Sequence, residues 1–312
     1  MNGELVAQTK QLVAAEQAEE CALTVLGEEK FKKFLEDREM DGSYDLKEGF
    51  RLRINCSVAR GTMSISARVI PKDIPTLEAI GLQDLAAKFS ADRQGLVLFT
   101  GPTGCGKSTS LAAIVHSMAQ ASPLNIVTLE DPVEYLFDHG KGVVRQRQYG
   151  EDFLSFPEAL KHVLRQDPDV VMVGEMRDPE TIAAALTLAE TGHLIFATLH
   201  TPNALQTIDR IIDVFPPHQQ GQIRSQLSMS LKAIVAQRLV PSVAGGRIAV
   251  REVLITIPAV QNIIRDSRTA ELTSVLQTND QLGMTTFEKS AKKLYKDGAI
   301  SKEVYESIGE GA

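Results

Sequence analysis

Apolar positions along the chain change period as it runs. Over residues 5–39 they recur at helical spacing, as Phe31, Phe34 and Leu35 do within EEKFKKFLEDRE, which predicts two helices. From residue 50 the period falls to two. Phe50, Leu52, Ile54, Cys56 and Val58 alternate with polar residues in FRLRINCSV, and Met63, Ile65, Ala67 and Val69 do so in MSISARV. With ARGT as the turn, these runs predict a hairpin with one buried face and an outer face carrying Arg51, Arg53 and Arg68. On pattern alone those arginines read as solvated strand residues. The two prolines of IPKDIPT then interrupt any regular element, which predicts a linker at 72–75 between an N-terminal domain, 1–71, and the rest of the chain.

Beyond residue 76 short apolar runs alternate with helical stretches. GLVLFT, NIVTLED, DVVMVGEM and HLIFATLH are apolar on both faces, which predicts parallel strands covered by helices on either side, over residues 76–258. Punctuation supports the intervening helices: Asp178 and Pro179 open one that Gly192 closes, and Ser155 with Glu158 has capping-box spacing. Residues 259–312 read as several short helices, including TTFEKSAKKLYKDG.

The first of these strands runs into GPTGCGKSTS, which fits G-x-x-x-x-G-K-[ST] with Gly101, Gly106, Lys107 and Ser108 in register and a helix following. Strand, glycine loop and helix N-terminus together form a cradle for phosphates, with Lys107 supplying charge and Ser108 an Mg2+ ligand. A nucleoside triphosphate is the expected ligand. In parallel sheets the ligand lies beyond the C-terminal ends of the strands. There NIVTLEDPVEY delivers Glu130 and Asp131, with Glu134 three residues beyond Asp131, and PDVVMVGEMRD delivers Glu175. HLIFATLH brings His200 to the same edge, where an imidazole can sense the terminal phosphate; His193 starts that strand, and His116, His139, His162 and His218 read as ordinary histidines.

Composition narrows the classes. The net charge is −7, and residues 1–50 hold 12 acidic against 6 basic side chains, so the remainder is close to neutral. No basic stripe marks a nucleic-acid tracker. No apolar run approaches the roughly 20 residues of a membrane span, and the N-terminus does not read as a secretory signal, which favours the cytoplasm. Cys21, Cys56 and Cys105 have neither zinc-ligand nor dithiol spacing and read as reduced thiols, with Cys105 in the loop a candidate for oxidation.

GPTGCGKST, LEDPVEY, DPDVVMVGEMRD and AETGHLIFATLHT, in this order, resemble the Walker A, Asp-box, Walker B and His-box of the secretion ATPase superfamily, and within it the type IV pilus retraction ATPases. IDRIIDVFPPHQQ, LKAIVAQRLV and AVQNIIRD extend the likeness, which covers about residues 30–308. The resemblance implies an α/β fold: a RecA-like P-loop ATPase core, a PAS-like N-terminal domain short of its first strands, and a helical C-terminal segment. It implies ATP with Mg2+, a homohexamer, and an inner-membrane pilus platform protein as partner at the inner face of the cytoplasmic membrane. Glu134 takes the place of the catalytic base, Glu175 and Ser108 support Mg2+, partly through water, and His200 joins the catalytic set. Arg53 and Arg68 approach the triphosphate, which reverses their solvated reading. Gly101, Thr103, Gly104, Cys105, Gly106, Lys107, Ser108 and Thr109 line the nucleotide site with Glu130, Asp131 and His193. Cys105 stands where the family has Ser, with its backbone N–H rather than its side chain toward phosphate. Pilus assembly and type II secretion ATPases carry a tetracysteine zinc motif that is missing here. An accessory retraction paralogue and a RecA-like nucleic-acid motor remain as alternatives.

Overall fold

The computed structural model describes residues 6–46, 50–70 and 72–309. The chain divides into two compact units, Met1–Asp73 with Pro132–Tyr135, and Ile74–Asp131 with Leu136–Ala312.

In the first unit, α1 (Ala15–Asp37) is broken at Gly27, whose φ of 74° and ψ of 166° no helix accommodates. The two helices read from the sequence are therefore present, joined end to end at the Gly27 kink. Ala22, Leu26, Phe31 and Phe34 pack against Ile54 and Cys56, whereas Leu35 is 40% exposed, because the buried stripe passes through the two phenylalanines and leaves the next residue outside. Among the described residues the sheet has three antiparallel strands in the order β1 (Glu39–Asp45), β2 (Arg51–Ala59) and β3 (Thr62–Ile70). The turn between β2 and β3 places Arg60 and Gly61 at positive φ, as a two-residue hairpin turn requires. Phe50 and Val69 are largely exposed, so the hairpin's buried face fades at its open end. Its register sets Arg53 directly opposite Arg68, and Arg51 donates to Ser43 at 2.8 Å beside Asp45 at 3.5 Å. Pro71, within the linker stretch, lies outside the described residues.

The second unit is built on a sheet of seven described strands in the order β10-β9-β4-β8-β7-β5-β6. In chain order the elements begin with α2 (Gln83–Ala91), β4 (Gly95–Thr100), α3 (Lys107–Ala121), β5 (Asn125–Glu130), β6 (Val143–Gln148), α4 (Phe156–Val163) and β7 (Val170–Val173). They continue with α5 (Pro179–Glu190), β8 (Leu194–Leu199), α6 (Ala204–Asp213), α7 (Pro217–Ser230), β9 (Leu231–Pro241) and β10 (Arg247–Ile255). All neighbours pair parallel except β9 with β10. The strand period of two divides each apolar run between two cores. Leu96, Leu98, Val127, Leu129, Val171 and Val173 point to one, and Val97, Phe99, Ile126, Val170, Met172 and Phe196 to the other. That is why these runs lack polar alternation.

Asp178 caps α5 by accepting from the Thr181 N–H at 2.7 Å, with Pro179 in the first turn. Ser155 accepts from the Glu158 N–H at 3.4 Å, while the Glu158 carboxylate pairs with Lys161 at 2.5 Å rather than completing a capping box. At the C-terminal end α8 (Pro258–Arg265) and α9 (Leu272–Thr278) close the first core through Val260, Ile263, Ile264, Leu272 and Leu276. The last two helices, α10 (Phe287–Lys296) and α11 (Lys302–Gly309), pack on Ala236 and Val250 of β9 and β10. No helix among the described residues is long and apolar enough to cross a membrane.

Candidate nucleotide site

Because β4, β5, β7 and β8 run parallel, the residues that follow them emerge at one edge. The loop after β4 is packed beneath and open above: Cys105 and Lys107 are buried, and Pro102, Thr103, Gly104 and Ser108 are exposed. Gly101, at φ 136°, admits no side chain, since a Cβ there would lie 2.3 Å from the Gln237 carbonyl oxygen. Lys107 folds over the loop, its Nζ donating to the carbonyls of Gly101 at 2.7 Å and Pro102 at 3.1 Å. The 15-residue α3 starts at Gly106 without a side-chain cap. Its first N–H groups and its dipole therefore favour an anion. A buried ammonium, a glycine loop and an uncapped helix of this length together fit a polyphosphate. Ser108 and Thr109 sit in the first turn.

Glu175, two residues beyond β7, is held by Arg177 and by His200, whose Nε2 lies 3.2 Å from its Oε2. Burial first, then the positive charges of Lys107 and Arg177, lowers the His200 pKa below the usual histidine value. At neutral pH the ring is uncharged, and since a carboxylate only accepts, Nε2–H is the donor. Arg177 also reaches Asp131 at 3.7 Å, so one guanidinium spans two of the edge acids. Beside them opens a cavity of about 310 Å3 lined by Asp131, Glu175, Arg177, Asp178, Tyr149 and Phe156, with the last two rings stacked at 5.8 Å.

Two expectations change, those for His193 and Cys105. Glu130 reaches the edge as expected; it is buried there, and its Oε1 accepts from Thr128 at 2.6 Å and from Gln146 at 3.1 Å, the second bond tying β5 to β6. His193 enters β8 at the opposite edge, a strand of six residues away or roughly 20 Å. Its Nδ1 lies 3.2 Å from the Leu188 carbonyl oxygen and 3.3 Å from the Thr191 hydroxyl, at the end of α5, so it does not join the phosphate loop. The Cys105 thiol is 3% exposed, and burial pushes its pKa up despite Lys107 and backbone N–H groups nearby. It is an inert thiol rather than an oxidisable one.

Glu134 belongs to the N-terminal unit, where its Oε1 lies 3.6 Å from Nη1 of Arg53. Arg68 is exposed on the neighbouring strand. Sequence reasoning missed Arg177 and also Gln237, a buried polar residue inside the apolar run LKAIVAQRLV whose amide donates to the Cys105 carbonyl at 2.8 Å. A lone glutamine in a strand that is otherwise core was the available signal.

Known proteins resemble this chain along most of its length. A curated twitching motility protein of Neisseria gonorrhoeae is 42% identical over 93% of this chain and 78% of its own length. The type IV pilus retraction ATPase PilT of Pseudomonas aeruginosa is 42% identical over 89% of this chain and 81% of its own. The crystal structure of the pilus retraction motor PilT with bound ADP superposes with a TM-score of 0.87 at 41% identity, covering 96% of this chain and 85% of that one. The family model described as type II/IV secretion system protein matches residues 48–306, and the chain belongs to that family.

Proposed function

We propose that this chain is an ATP-hydrolysing motor that powers retraction of a type IV pilus, acting as a ring of six copies on the inner-membrane pilus platform at the inner face of the cytoplasmic membrane. The chemical part rests on one observation: the lysine-bearing phosphate loop and the Glu175–His200–Arg177 cluster emerge at the same sheet edge. The kind of work follows from the relatives, named for retraction and twitching, that match it over nine-tenths of its length or nearly so.

The chain's groups divide the task. Gly101 to Thr109 hold the phosphates, and Lys107 exchanges its loop carbonyls for phosphate oxygens. No group of three or more His, Cys, Asp or Glu among the described residues could hold a metal unaided. Ser108 and Glu175 instead offer two hard oxygen donors, which suits Mg2+, an ion that keeps most of its water. Bound there, Mg2+ would offset charge on the phosphates. Glu134 accepts the proton of the attacking water, Asp131 orients it through Arg177, and His200, neutral and hydrogen-bonded to Glu175, reports on the terminal phosphate.

Arg53 and Arg68 are assigned to the triphosphate. Like charges directly opposite on adjacent strands are destabilising, so the pairing of these two in register is not there for stability. Arg68→Ala is expected to lower turnover at least about tenfold, short of the ~10^3-fold of a fully engaged arginine finger, with ATP affinity unchanged and the melting temperature unchanged or raised. Steady-state kinetics beside a thermal melt reads this; unaltered turnover returns the arginine to solvent.

Coupling to the pilus is tested at α8. Its Val260, Ile263 and Ile264 are core, whereas Asn262 and Arg265 are exposed. The double substitution Asn262→Ala, Arg265→Ala is expected to leave hydrolysis within twofold and stop retraction in cells. Loss of both together contradicts a docking role for this face. Ile263→Ala, by contrast, removes core volume and is expected to cost about 2–5 kcal/mol of stability.

A further inference from the structure

Gln237 of β9 spends every end of its amide, on a side chain only 1% exposed. Its Oε1 accepts from the Ser110 hydroxyl of α3 at 2.9 Å and from Nε of Arg251 at 3.2 Å, and its Nε2 donates to the main-chain carbonyl of Cys105 at 2.8 Å. Arg251 is its direct partner across the β9–β10 pair. A guanidinium has no acceptor, so Arg251 decides which end of the amide is oxygen and leaves Nε2 to face the phosphate loop.

Peptide geometry carries the consequence onward. In a trans peptide the C=O and the following N–H point in opposite directions. A Cys105 carbonyl drawn toward β9 therefore turns the Gly106 N–H away from β9. Gly106 has φ 89°, and a Cβ there would come 3.1 Å from Gln237 Nε2, so the contact also needs the glycine. Arg251 shows what this arrangement costs. Burial lowers its pKa to about 10, and among the described residues its Nη1 has only the Gly81 carbonyl at 3.5 Å and no ion pair with a carboxylate involves it. A half-buried cation that neutralises no acid contributes little to stability.

We infer that Gln237 is a positioning residue for nucleotide binding: with its amide set by Arg251, it holds the Cys105–Gly106 peptide so that the Gly106 N–H is presented to phosphate before the nucleotide arrives. Without that bond the loop must be ordered by the ligand, which weakens binding and leaves the chemical step alone.

Two variants separate the bond from its surroundings. Gln237→Met is neutral, of similar volume, and loses donor and acceptor. Gln237→Glu keeps the acceptor, gains an ion pair with Arg251, and puts a carboxylate oxygen against the Cys105 carbonyl in place of the donor. Both are expected to raise KM for ATP, and Kd for a fluorescent ADP analogue, about tenfold, the effect of one hydrogen bond. Turnover at saturating ATP should stay within twofold, with a thermal melt showing that both variants are folded. A wild-type KM in Gln237→Met overturns the inference, whatever the glutamate variant does. So does a raised KM in Gln237→Met alone, which would trace the effect to packing.

Discussion

Lys107→Ala abolishes nucleotide binding, with an expected loss of affinity of about 10^3-fold or more. The reason lies in where the ammonium sits. At 7% exposure it has left most of its water, and its present partners include the carbonyls of Gly101 and Pro102. Those are weak partners for a cation compared with phosphate oxygens carrying formal charge. Charge-assisted bonds contribute about 1.5–3 kcal/mol each, and the ammonium can make more than one to a polyphosphate. Alanine removes them all, and leaves the two carbonyls without their donor. Titration with a fluorescent ATP analogue, beside a melt showing the variant folded, reads the effect. Affinity within tenfold of wild type contradicts the assignment of this loop as the phosphate site.

Glu134→Gln separates chemistry from binding. The amide keeps the shape and a hydrogen-bonding oxygen but cannot take a proton, so turnover is expected to fall about 10^2- to 10^4-fold while ATP affinity stays within threefold. Glu130→Gln is the control. Its carboxylate already accepts from Thr128 and Gln146, and an amide oxygen can accept from the same donors, so turnover should drop less than tenfold. A wild-type rate in Glu134→Gln with failure in Glu130→Gln moves the base to the other acid.

How much of each feature is legible in the sequence depends on how its signal arises. Strands buried on both faces read as plain apolar runs, and GLVLFT matches β4 residue for residue. The phosphate loop was legible because its glycines are demanded by backbone conformation, with Gly101, Gly104 and Gly106 all at positive φ. β1 was missed because Gly42 stands between Met40 and Tyr44 on its inner face and interrupts the alternation; the space it leaves is filled by Ile54, 3.6 Å from where a Cβ would sit. β6, VVRQRQ, lies at the sheet edge, where polar residues are tolerated and the apolar run disappears. Side-chain pairings between distant segments leave no local trace. Arg177 reaching Asp131, and Gln237 reaching Cys105 across 132 positions, needed the fold. His193 shows the opposite error. Its box resembles the family's in sequence, but the direction of β8 carries it to the wrong edge.

ATP hydrolysis by this chain is proposed to retract a pilus. Expression in a piliated bacterium lacking its own retraction ATPase, with retraction followed on single labelled pili, tests it most directly. The wild-type chain is expected to restore retraction events, and Lys107→Ala and Glu134→Gln, expressed to the same level, to restore none. A wild-type chain that is present and hydrolyses ATP at its full rate in that cell, yet leaves every pilus extended, contradicts the proposed function; so does retraction restored equally by Lys107→Ala.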